Sequence, residues 1–143
     1  MALKNARSRS PNTFDKIQRL LTTHGARRVM MEYSPTGLIF GISFQLEING
    51  QEVVMKLPAR IEQVAIHMYK DVLSGLSESK QEQAYRTAWA NIRDWLDAQF
   101  AMIDTQMVKV EEVFLPYIMV DNNQTLFEKF EANPRFLLPH KID

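Results

Sequence analysis

The chain contains no cysteine, an absence that removes disulfides, thiolate zinc sites and cysteine nucleophiles together. Glycine is scarce, five in 143 residues, and the five fall into no phosphate loop, dinucleotide fingerprint or nucleophile elbow. No run of 18 apolar residues occurs, so no membrane-spanning helix is expected. The amino terminus, "MALKNARSRSPN", has no apolar core of the kind a secretory signal needs, and a cytoplasmic setting is the expectation. The three histidines, His24, His67 and His140, show no ligand spacing with one another or with an acid. Hence no metal, no cofactor and no catalytic residue is nominated, and a binding role is expected ahead of an enzymatic one.

What is present suits one globular domain: 45% hydrophobic and 24% charged residues, on a chain long enough to bury a core without covalent staples. Net charge is zero, but it is divided. Residues 1–28 carry seven basic side chains against Asp15 alone, net +6, and the remainder carries ten basic against sixteen acidic, net −6. Such a split suggests either a basic arm that meets a polyanion or two poles that attract one another between subunits of a homo-oligomer. Residues 1–11 are read as a flexible basic arm and residues 12–143 as a single domain. Lys4, Arg7 and Arg9 on the arm, with Arg27 and Arg28, are the candidate nucleic-acid contacts.

Periodicity sets the architecture. "NTFDKIQRLLTTHG" has a cap at Asn12 or Thr13, apolar residues Phe14, Ile17, Leu20 and Leu21 at helical spacing, and Gly25 just beyond the end. In "GLIFGISFQLEI" the period becomes two: Leu38, Phe40, Ile42, Phe44, Leu46 and Ile48 share one strand face. Asn49-Gly50 predicts a type I′ hairpin into "QEVVMKL", and "SPTG" predicts a turn from an earlier strand through Val29, Met31 and Tyr33. The expected fold is therefore α+β: a three-stranded antiparallel meander after an N-terminal helix, packed on one face by several C-terminal helices. The helical part comprises a stripe through Ile61, Val64, Ala65, Met68, Val72 and Leu73, a long helix from Ser79 to Lys109, and a further helical piece in "VEEVFLPYIMV" broken at Pro116. A short amphipathic helix follows with Leu126, Phe127 and Phe130, and then a tail whose Phe136 and Leu137 are expected to dock back.

Three aspartates on the long helix, Asp94, Asp97 and Asp104, pose the sharpest functional question. At about 100° per residue the apolar side chains from Ala84 to Ile103 fill one arc and the three acids fall outside it, which reads as a solvated face. Arg93 stands four residues before Asp97, a spacing that allows a surface ion pair. Gln99 and Gln106 project into the apolar arc, where an amide needs partners. They join Gly41 and Ser43, which leave the other face of the central strand nearly bare of side chains, as candidate ligand or interface residues.

The order helix, three strands, helix also resembles double-stranded-RNA-binding domains, but "PARIEQVAIHMYK" supplies only Arg60 and Lys70 where those carry a basic cluster, so function does not follow. A closer likeness lies in "HGARRVMMEY", "ISFQLEINGQEVVMKLPA" and "RTAWANIRDWLDAQFAMIDTQMVKVEEVFLPYIM". These segments resemble a family of small proteins encoded by bacteriophages and prophages, in which a hairpin, a tryptophan-rich helix and an FLPY-like segment recur. The resemblance covers roughly residues 14–139. It implies a setting, that of an accessory protein from a phage replication, recombination or host-takeover region, and the expected function is non-catalytic binding of nucleic acid or of a protein of DNA replication or recombination. The alternative is a counter-defence protein that binds a host protein or a nucleotide-like small molecule. It transfers no site residue to this chain.

Overall fold

The computed structural model describes residues 11–121 and 124–137. In chain order they form α1 (Pro11–Thr23), β1 (Arg28–Tyr33), β2 (Ile39–Ile48), β3 (Gln51–Pro58), α2 (Ile61–Tyr69), α3 (Glu78–Asp104), α4 (Val110–Phe114) and α5 (Leu126–Ala132), with short 3-10 turns at Leu73–Gly75, Leu115–Tyr117 and Pro134–Leu137. The sheet is antiparallel in the order β1-β2-β3, between an N-terminal helix and the C-terminal helices, so the α+β architecture read from the sequence is the one the chain adopts.

The hairpin turns at Asn49 and Gly50, whose φ values of 52° and 83° are those a type I′ turn requires, and Ile48 faces Gln51 across it. The alternation predicted for β2 holds from Ile42 to Leu46, all buried at the even positions, but fails at the start of the strand. There Tyr33 pairs with Ile39 while Glu32 pairs with Gly41, so one extra residue is accommodated in β2. The bulge turns Phe40 outward, 42% exposed, and buries Ile39 instead, 4% exposed.

That displacement is where the long helix attaches. The Ile39 N–H donates to the Tyr85 hydroxyl at 3.2 Å and the Trp89 indole N–H donates to the Ile39 carbonyl at 3.0 Å. Both aromatic side chains are fully buried, and Phe14 of α1 lies against their rings at 6.4 and 5.0 Å. The sheet's inner face (Ile42, Phe44, Leu46, Met55, Leu57), α1 (Phe14, Ile17, Leu21) and α3 (Ala84 through Phe100) thus close one core. Buried Phe114 of α4 joins it, meeting Phe44, Trp95 and Phe100 at 5.5, 5.8 and 5.7 Å. Truncating rings so deeply packed typically costs about 3–5 kcal/mol each.

Two helices end alike. After α1, Gly25 takes φ 97° and the Ala26 N–H reaches back to the Leu21 carbonyl at 2.9 Å, with Gly25 N–H on Thr22 O at 3.2 Å. After α3, Gln106 takes φ 64°, Met107 N–H bonds Met102 O at 2.9 Å and Gln106 N–H bonds Ile103 O at 3.0 Å. Both are Schellman closures. The second corrects the expected end at Lys109: α3 stops at Asp104, and Gln106 is an exposed residue of the terminal turn, not an amide in the apolar arc. At the other end Ser77 caps α3 by accepting from the Lys80 N–H at 3.4 Å.

The segment after α4 also departs from the helical expectation. Beyond the Leu115–Tyr117 turn the chain extends: Ile118 pairs with Met55, and the Met119 N–H donates to Val54 O at 2.8 Å, covering the outer edge of β3. Helix α5 then starts from a capping box, Thr125 accepting from the Glu128 N–H at 3.2 Å while Glu128 accepts from the Thr125 N–H at 2.9 Å. The side chains of Phe136 and Leu137, expected to dock back, lie outside the described residues.

Candidate functional site

The aspartates of α3 are exposed, and two of them hold α1. Asp97 meets Lys16 at 3.0 Å and Asp104 meets His24 at 3.0 Å. Arg93 turns to Asp94 at 2.9 Å and donates to the Thr13 hydroxyl at 3.4 Å, so the pairing expected with Asp97 is not the one formed: α1 lies alongside α3 and its Lys16 takes that acid. Among the described residues no group of three or more His, Asp or Glu side chains could hold a metal ion.

The residues singled out from the sequence do not converge. Lys4, Arg7 and Arg9 lie outside the described residues. Arg27 and Arg28 are exposed at the start of β1, where Arg27 faces Glu52 at 3.8 Å. Gly41 and Ser43 do occupy the outer sheet face, but the close approach that Gly41 permits is made by the same chain. The Glu32 side chain crosses from β1 over Gly41 toward Lys56 on β3, 3.6 Å away, and Glu32 Oε1 is buried there without a hydrogen-bond partner. Gln99 is half-buried on α3 and Gln106 exposed beyond it, on elements that pack against the inner face. The four ligand candidates are thus split between the two sides of the sheet.

A site that the sequence did not disclose lies on the other flank of α3. Helices α2 and α3 pack against each other, and beside them Leu57 and Pro58 at the end of β3, the 3-10 turn at Pro116 and Tyr117, and Phe127 of α5 complete a groove of about 730 Å³. Its apolar wall consists of Val64 and Met68 from α2, Ala88, Ile92 and Trp95 from α3, and Tyr117 and Phe127. Trp95 is held edge-on to Phe114 at 5.8 Å and to Tyr117 at 5.7 Å, so the aromatic wall is fixed from behind. Thr87 and Asn91, four residues apart on α3, and Gln63 and His67, four apart on α2, also line it, and Arg60 stands where α2 begins.

The electrostatics of the groove are one-sided. No carboxylate lines it. The Arg60 guanidinium lies over the Phe127 ring at 5.5 Å and forms no ion pair among the described residues. A volume of this size, with an apolar wall and a few polar groups along its rim, is the ordinary form of a small-molecule site. The cue in the sequence was slight: polar pairs at i, i+4 bordering the stripes through Val64 and Met68 and through Ala88, Ile92 and Trp95, which read equally as core.

No protein-family model, curated protein or solved structure matches the chain. The fold and the groove together describe an α+β protein with a cationic-rimmed aromatic cleft.

Proposed function

We propose that the chain is an accessory binding protein of the phage type, and that its groove takes a nucleotide-like ligand: a flat aromatic body bearing an anionic group. The setting rests on the three segments that resemble phage and prophage proteins. The ligand class rests on one observation, that a groove of about 730 Å³ with an aromatic wall has Arg60 and His67 at its rim and no carboxylate within it. In this arrangement Trp95, Tyr117 and Phe127 offer surfaces to a planar ring, Gln63, Asn91 and Thr87 offer donors and acceptors to its edge, and Arg60 receives the anion. A phosphate and a carboxylate share that anionic chemistry.

Trp95 supplies the readout, since it lines the groove while Trp89 is sealed in the core. A nucleoside monophosphate, its parent nucleoside and an aromatic carboxylate are each titrated against tryptophan emission. Binding of the monophosphate well above that of the nucleoside supports the reading, and the carboxylate arm tells whether phosphate itself is required. Arg60→Ala removes a charge-assisted contact of about 1.5–3 kcal/mol and weakens the anionic ligand about 10- to 100-fold while sparing the nucleoside. Emission that none of the three alters, with thermal midpoints equally unmoved, overturns it.

The nucleic-acid reading ranks second, because the described cations it relies on are Arg27 and Arg28 and the first already faces Glu52. A DNA duplex titrated in parallel distinguishes the two, since its binding falls steeply with salt and is indifferent to Arg60→Ala.

A further inference from the structure

The two edges of the sheet are treated differently. The outer edge of β3 ends in Pro58 and is covered by the Ile118 and Met119 segment. The outer edge of β1 has no strand or bridge against it among the described residues, and "RVMMEY" contains none of the lysine or proline with which sheet edges are commonly blunted. In its middle Met30 is 62% exposed.

We propose that this edge is completed by β1 of a second copy, making a continuous six-stranded antiparallel sheet across a two-fold axis. The pattern of the strand is what selects a second copy. A two-fold perpendicular to the sheet keeps each face on its own side, so only registers centred on a residue are allowed. Centring on Met30 sets Met30 against itself on the outer face and Val29 against the partner subunit's Met31 on the inner face. It also sets Arg28 opposite the partner subunit's Glu32, twice by symmetry. Arg28 is exposed and forms no ion pair among the described residues; Glu32 meets Lys56 of its own chain at 3.6 Å through one oxygen and keeps the other buried without a donor. Centring on Val29 instead sets Met30 opposite Arg28, centring on Met31 sets it opposite Glu32, and neither register gives Arg28 an acid.

The full chain is examined by sedimentation equilibrium, with twice the 16.6 kDa chain mass as the expected result. Met30→Lys and Met30→Glu each place like charges on the axis and weaken the dimer about tenfold or more. Mixed in equal amounts they recover it, because unlike charges then meet at that point. A wild-type chain that stays monomeric at the concentrations of an NMR sample overturns the proposal. So do single variants that dimerise as the wild type does, or a mixture that remains monomeric. Because Met30 is mostly exposed, circular dichroism of the variants is expected to match the wild type.

Discussion

A Cβ at position 41 would stand 2.9 Å from Glu32 Oε1 and 3.5 Å from the Leu57 carbonyl oxygen. Glycine is therefore required not by its backbone angles but by the acid that crosses it, an acid 25% exposed and only loosely paired with Lys56 at 3.6 Å. Gly41→Ala forces the carboxylate aside and costs about 1 kcal/mol in urea unfolding. On a Glu32→Ala background the same change meets an emptied space, and the better strand propensity of alanine makes it neutral or mildly stabilising. The coupling read from the double-mutant cycle is about 0.5–1 kcal/mol. If the two substitutions simply add, Glu32 is not the reason for the glycine. The sequence marked Gly41 as a place of close approach but could not name its neighbour, because Glu32 comes from another strand and its register depends on the bulge at Phe40.

The elements show a similar division. The type I′ hairpin was legible because Asn49-Gly50 states its own backbone conformation, and Gly25 announced the end of α1 in the same way. The end of α3 was not legible, since glutamine at position 106 gives no local sign that it will take φ 64°. Nor was the extension after Pro116, because Ile118 and Met119 are apolar enough for a helix and are drawn out by the free edge of β3, a partner about 60 residues away in sequence. The groove was hidden for the same reason: its walls come from five elements, and each one contributes residues that alone read as core. A pair of substitutions at the two Schellman turns makes the difference measurable. Gln106→Gly relieves a left-handed non-glycine residue and raises the thermal midpoint by about 2 °C, a net gain of about 0.5 kcal/mol after the extra freedom of glycine in the unfolded chain. Gly25→Ala goes the other way by about 1 kcal/mol; its Cβ would meet nothing within 4 Å, so the loss is conformational. An unchanged midpoint for both variants would remove the terminal turns from the account of stability.

Across the whole molecule, one cation of the basic segment, Lys16, meets an acid of the remainder within the chain where α1 lies on α3. The contact of Lys16 with Asp97 is exposed on both sides, 44% and 51%, and contributes at most about 1 kcal/mol. His24 is the more consequential member. Its ring stacks on Phe100 at 4.1 Å, Nδ1 lies 2.7 Å from the Leu20 carbonyl and Nε2 lies 3.0 Å from the Asp104 carboxylate, so both nitrogens face acceptors and the imidazolium can donate to each. Burial pulls its pKa down, but the hydrogen bonds to Asp104 and Leu20 and the nearby negative charge outweigh it, and the pKa lies above the ordinary 6.5. A group whose pKa is raised by folding stabilises the native state fully below its unfolded value and ceases to do so as pH rises through its folded value. The join between α1 and α3 is therefore strongest below about pH 6.5 and loosens on the alkaline side. Urea midpoints measured at about pH 6 and about pH 9 should fall more for the wild type than for Asp104→Asn, in which the charge that holds the proton is gone. Equal falls in the two proteins would show that His24 carries no pH-dependent share of the join.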